Sequence, residues 1–83
     1  MKENKQFIGV VLEVSPAGSI TPKAILWPDG RRFEIDQVLA VAQAPAALAG
    51  ALGMCYTCQV RTRQAKLYRD GDRWFMQAKG QGM

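Results

Sequence analysis

Ile25-Leu26-Trp27-Pro28-Asp29-Gly30-Arg31-Arg32-Phe33-Glu34-Ile35 is the stretch that decides the fold. Two runs rich in β-branched and aromatic residues meet at Asp29-Gly30, a dipeptide that tolerates the positive φ of a tight type I′ reversal. The segment is therefore predicted to be a β-hairpin. Toward the N-terminus, Ile20 to Pro28 forms its first strand, with Pro22 near the start. Proline brings no N–H to a ladder, so that end is expected at a sheet edge. Pro16-Ala17-Gly18-Ser19 carries turn residues, and Gln6 to Ser15 before it reads as another strand, apolar on most of both faces. Gly9 inside this strand predicts a bulge or a barrel corner.

Toward the C-terminus, Arg31 to Ala42 reads as one strand whose alternation changes phase: Phe33 and Ile35 match Leu39 and Val41, while Val38, Ala40 and Ala42 fill the other parity. A bulge near Asp36, or passage from one sheet to another, accounts for the change. Gln43 to Gly53 has five alanines, two glycines, Pro45 and no charge. It is expected to be a loop, mobile or ordered by a partner, with at most a helical turn from Pro45 to Ala49. Met54 to Arg63 alternates cleanly, with Tyr56 on the core face. Gln64 to Arg69 is a shorter strand, Asp70-Gly71 a second hairpin turn, and Asp72 to Lys79 the last strand. Residues 1–5 and 80–83 are expected to fray.

Five or six short strands and no amphipathic helix predict an all-β domain spanning residues 1–83. A flat sheet of this size would expose long apolar edges, so closure into a small barrel is expected. The Src-homology-3-like type is favoured over the oligonucleotide-binding type because no helix separates the strands. With 83 residues, one core is all the chain can hold. The longest apolar candidate, Val38 to Gly53, contains Gln43 and Pro45 and falls short of a membrane span. Met1-Lys2-Glu3-Asn4-Lys5-Gln6 shows no secretory signal, which sets the expectation of a cytoplasmic protein without a membrane partner.

The net charge of +4 is unevenly placed. Basic and acidic residues cancel as far as Met54, whereas Arg61, Arg63, Lys66, Arg69, Arg73 and Lys79 face only Asp70 and Asp72 after it. Arg61 and Arg63 are expected on the outward face of one strand, Lys66 on the next, and Arg69 and Arg73 beside the Asp-Gly turn, with Tyr68 and Phe75 among them. Cations that track phosphates, with aromatic rings that stack on bases, are how small barrels hold single strands. Arg61, Arg63, Lys66, Tyr68, Arg69 and Arg73 are accordingly the candidate nucleic-acid-binding residues. Edge strands also carry Lys and Arg simply to resist aggregation, and that needs no ligand.

Other chemistries lack their side chains. The chain has no histidine, and its Asp, Glu, Ser and Thr residues form no recognisable catalytic arrangement. Asp29 and Asp70 read as turn residues, and Glu34 and Asp36 as a solvated strand face beside Arg31 and Arg32. No catalytic residue, cofactor or small-molecule substrate is expected. Cys55-Tyr56-Thr57-Cys58 has the spacing of metal and redox motifs, but residues i and i+3 of a strand point to opposite faces. A structural role follows, with Cys58 buried and Cys55 more exposed. The metal alternative is a zinc ion shared between two protomers. Trp27 and Trp74 are read as core or core-rim side chains whose replacement by Ala unfolds the protein.

Trp27-Pro28-Asp29-Gly30-Arg31-Arg32-Phe33-Glu34-Ile35-Asp36-Gln37-Val38, then Tyr56-Thr57-Cys58, then Trp74-Phe75 resemble a group of small uncharacterised proteins of anaerobic Gram-positive bacteria. The shared pattern is W-x-D-G-R-x-F-x-I-D-x-V followed by Y-T-C and W-F. Cys55 departs from it, since Arg tends to stand at the equivalent position. The resemblance implies a stand-alone domain in a bacterial cytoplasm and adds no mechanism. The expected function is thus a non-enzymatic binding module whose basic C-terminal surface takes nucleic acid or another anionic partner. The alternative is a protein-interaction or homodimerisation module using the 43–53 loop or an exposed strand edge.

Overall fold

The computed structural model describes residues 5–50 and 53–77, so the expected termini fall largely outside the described residues. The protein is all-β. Seven strands, β1 (Lys5–Val14), β2 (Ile20–Leu26), β3 (Arg32–Glu34), β4 (Gln37–Gln43), β5 (Met54–Val60), β6 (Arg63–Asp70) and β7 (Arg73–Gln77), form one antiparallel sheet. A single helical turn, α1 (Ala46–Ala49), lies between β4 and β5. The strand order is β3-β2-β1-β7-β6-β5-β4, and the sheet curls into a half-barrel.

Two corners produce the curl. In β1, Lys5 to Ile8 pair with β7, whereas Gly9 to Val14 pair with β2. The partner changes at Gly9, as its position in an otherwise bulky strand predicts. A Cβ there would lie 3.2 Å from that of Leu26, so glycine lets the strands close at the bend. The second corner is Ile35-Asp36, where the phase change was expected. The single strand read from Arg31 to Ala42 is in fact two: β3 pairs with β2 and β4 with β5. Between them the Ile35 N–H donates to the Lys23 carbonyl at 2.9 Å and the Asp36 N–H to the Gln59 carbonyl at 2.8 Å. This break is why the sheet has seven strands where five or six were expected. Consecutive segments thereby occupy its two edges, and Pro22 lies where β2 has only β1 beside it, consistent with its missing donor.

The turns differ in detail from the sequence reading. The Gly30 N–H donates to the Trp27 carbonyl, which makes Pro28 and Asp29 the central pair of a type I turn, and Gly30, at φ +97°, follows as the left-handed residue. Pro28 decides this outcome, because its fixed φ near −65° suits the first central position. In the β6–β7 hairpin Asp70 pairs with Arg73, so the turn residues are Gly71 and Asp72, not Asp70 and Gly71. Only the first has positive φ, at +64°, the pattern of a type II′ turn.

The sheet buries both faces. On the concave side Ile25, Ile35, Tyr56, Cys58, Leu67 and Trp74 form the main core, and the rings of Tyr56 and Trp74 lie 5.1 Å apart. On the convex side the register sets Phe7, Phe75, Tyr68, Cys55 and Ala42 in one row across five strands, since residues directly opposite share a face. Ala44 and Ala49 cover Tyr68 and Phe75 there. Of the two expectations for the alanine-rich segment, the short helical turn from Pro45 to Ala49 is the one formed, and its described residues fold back over their own sheet. Small side chains let the backbone approach, and Gly53 completes the fit: a Cβ on it would lie 2.3 Å from the Ala49 carbonyl oxygen.

Candidate functional site

A concavity of about 1150 Å³ opens where the β2–β3 hairpin approaches the β5–β6 turn. Trp27, Arg31 and Phe33 line one wall, from the hairpin, and Arg61, Arg63 and Lys66 border the other, from the turn and the start of β6, where Arg63 and Lys66 alternate to opposite faces of the strand. The pairing explains the first wall. Ile25 pairs with Phe33, and the Trp27 N–H donates to the Arg31 carbonyl at 2.8 Å, so the three side chains share the face of Ile25. Both rings are half-buried and pack against the main core. The Arg31 guanidinium lies 5.5 Å from the centre of the Phe33 ring. It also bonds the Asp29 carboxylate at 2.7 Å. The Arg31 backbone N–H at 3.0 Å is the main influence holding the Asp29 carboxyl below its ordinary range.

The second wall is set by a strained turn. Val60 pairs with Arg63, leaving Arg61 and Thr62 as a two-residue reversal. Arg61 has φ +58°, the one left-handed non-glycine residue among those described. Its conformation matches that of Gly71 at the other end of β6, but a side chain there costs about 1–2 kcal/mol. The Asp36 carboxylate holds it, accepting the Arg61 backbone N–H at 2.7 Å. Asp36 is exposed, as expected, and in addition anchors the turn. Among the described residues, Arg61, Arg63 and Lys66 have no carboxylate partner.

The six sequence-selected residues do not form one patch. Arg61, Arg63 and Lys66 reach the cleft, but Arg61 stands in the turn and not on a strand face shared with Arg63, because β5 ends at Val60. Arg69 and Arg73 belong to the opposite end of the sheet; at ~3.4 Å per residue, Arg69 is ~20 Å along β6 from Arg63. There the Arg69 guanidinium donates to the Gly71 carbonyl and lies 5.9 Å from the Trp74 ring, and Arg73 lies 4.5 Å from that of Phe7. Tyr68 is not a free stacking surface. It borders the cleft but is buried, its ring stacked on fully buried Phe75 at 5.4 Å, and burial raises its hydroxyl pKa. Both faces of β6 are covered here, which alternation alone does not reveal.

The aromatic surface of the cleft comes instead from Trp27 and Phe33, which the sequence reading assigned to the core rim or to the strand pattern. Their signal was present: two aromatic residues flank a turn that also carries Arg31 and Arg32. Arg32 itself points to the other face and pairs with Glu34, which raises its pKa.

The two cysteines lie on opposite faces, as strand geometry requires. Cys58 is buried in the main core and its thiol pKa is pushed up to about 11, chiefly by burial, with Cys55 adding to the effect. Cys55 packs half-buried against the convex cluster. A metal shared between protomers through Cys58 would need that residue to leave the core, whereas Cys55 is only half-buried. No helix of the described residues is long and apolar enough to cross a membrane. Compared with protein-family models, curated proteins and solved structures, the chain matches none.

Proposed function

We propose that the protein is a non-enzymatic, cytoplasmic binding module that takes nucleic acid in the cleft between the β2–β3 hairpin and the β5–β6 turn. The observation that carries this is a concavity lined by Arg31, Arg61, Arg63 and Lys66, the side chains of the last three without a carboxylate partner among the described residues. Arg31 is available too. Its pair with Asp29 is well exposed and contributes little, so a phosphate can replace the carboxylate at small cost. The barrel is best taken as Src-homology-3-like: each strand pairs with its neighbours in the chain except β3 and β4, which form the two edges, and β7 returns to β1, an order unlike the Greek key of oligonucleotide-binding barrels. The resemblance to small proteins of anaerobic Gram-positive bacteria is compatible with this role and supplies no activity against it.

Titration of the protein with labelled oligonucleotides at two salt concentrations tests the proposal. Three or more phosphate contacts should weaken binding about 20-fold between about 50 and 200 mM salt. Arg63→Ala and Lys66→Ala should each reduce affinity and flatten that dependence. Salt-insensitive binding, or none at micromolar protein, would refute it.

A second reading rests on β4. Gln37 to Gln43 pairs only with β5, contains no charge, and exposes Leu39 and Val41, so this edge can add a strand from another chain. Dimerisation there would appear as a concentration-dependent mass indifferent to salt.

A further inference from the structure

The cleft combines cations with two half-buried rings, and a phosphate backbone alone would need only the cations. Resting on the nucleic-acid reading above, we infer that the site is built for unpaired nucleotides, with Trp27 and Phe33 as stacking surfaces for bases and Arg61, Arg63 and Lys66 along the phosphates.

Three features carry this. Trp27 and Phe33 lie on one face of one hairpin, and each is fixed from behind by the main core, so an incoming base meets rings already in position. Arg61, Arg63 and Lys66 line the same concavity as the rings, which lets one nucleotide present its base to a ring and its phosphate to a cation. The concavity is also lined by two hairpins. A duplex keeps its bases stacked inside and offers only grooves and backbone, so it cannot put a base face against either ring without local melting. The left-handed Arg61 adds to the arrangement, because Asp36 anchors its backbone and leaves its guanidinium free. The specificity expected is for single strands over duplex with little preference among bases, since every base has a face that stacks.

The test compares three probes with the intact protein: an oligothymidine of about eight nucleotides, an abasic phosphodiester strand of the same length, and a duplex of that length. The single strand should bind about tenfold or more tightly than the abasic strand, and more tightly than the duplex, with quenching of tryptophan emission. Phe33→Leu keeps apolar bulk without the ring. It should lose about tenfold for the single strand and little for the abasic one. Equal affinity for the single and abasic strands, or tighter binding of the duplex, would overturn the stacking inference while leaving the nucleic-acid reading intact. Absence of binding to all three would overturn both. The comparison of probes needs only the unaltered chain, so it stands even if Phe33→Leu fails to fold.

Discussion

The two ends of β6 close in the same way and differ in what their cations meet. At each, two residues reverse the chain and the first adopts a left-handed backbone. At the β6–β7 end that residue is Gly71, the neighbouring Arg69 and Arg73 lie on Trp74 and Phe7, and Asp70 and Asp72 offset their charge. At the β5–β6 end the residue is Arg61, strained and held by Asp36, and the cations around it face a cleft. One end is relaxed and its cations are occupied; the other bears a conformational cost and keeps its cations free. Local strain retained beside a concavity is a mark of a binding surface.

The contrast can be broken most forcefully at the tryptophans. Trp74→Ala removes a buried ring from the closed end and should cost about 3–5 kcal/mol, enough to unfold so small a domain. Trp27→Ala at the open end removes a half-buried ring and should cost about half as much, so it is expected to fold but bind poorly. Urea denaturation followed by circular dichroism separates them, and equal losses would erase the distinction.

Asp36→Ala comes next. It leaves the strained turn without its anchor and should cost about 1–2 kcal/mol, with Asp36→Asn recovering part of the loss. Exchanging the turn residues sharpens the comparison at about 1 kcal/mol in each direction. Gly71→Arg should destabilise, whereas Arg61→Gly should stabilise the fold and weaken oligonucleotide binding. A destabilising Arg61→Gly would mean that the turn is not strained.

The smallest effect concerns the middle shared by both ends. Burial favours the protonated Cys58 thiol, so its pKa is higher in the folded than in the unfolded chain. Stability is unaffected below the unfolded value near 9.0 and falls as pH rises from there to about 11. Tyr68 adds to the decline above its ordinary value of 10.0. Cys58→Ala should flatten the first part of that fall in urea midpoints measured across pH.

Much of the fold was legible in local chemistry. The Trp27 to Phe33 hairpin, the corner at Gly9, the phase change near Asp36 and the opposed cysteines follow from turn residues and strand period, which act over a few positions. What escaped depends on partners distant in sequence. Tyr68 and Phe75 looked outward by alternation, yet Ala44 and Ala49 cover them. Asp36 is solvated as it looked, but its bond to a backbone amide 25 positions away was not visible. The basic surface was identified by charge but divided in space, because a strand separates its two halves by its own length.

The crossing at Ile35-Asp36 joins the outermost strands, and the same aspartate grips Arg61. A ligand that draws on Arg61 therefore also pulls on the clasp between the edges. Occupancy should be felt as slower hydrogen exchange at the Ile35 and Asp36 amides, beside the cleft, before it is felt anywhere along β1 or β7. The clasp makes the shape of the molecule a reporter of what it holds.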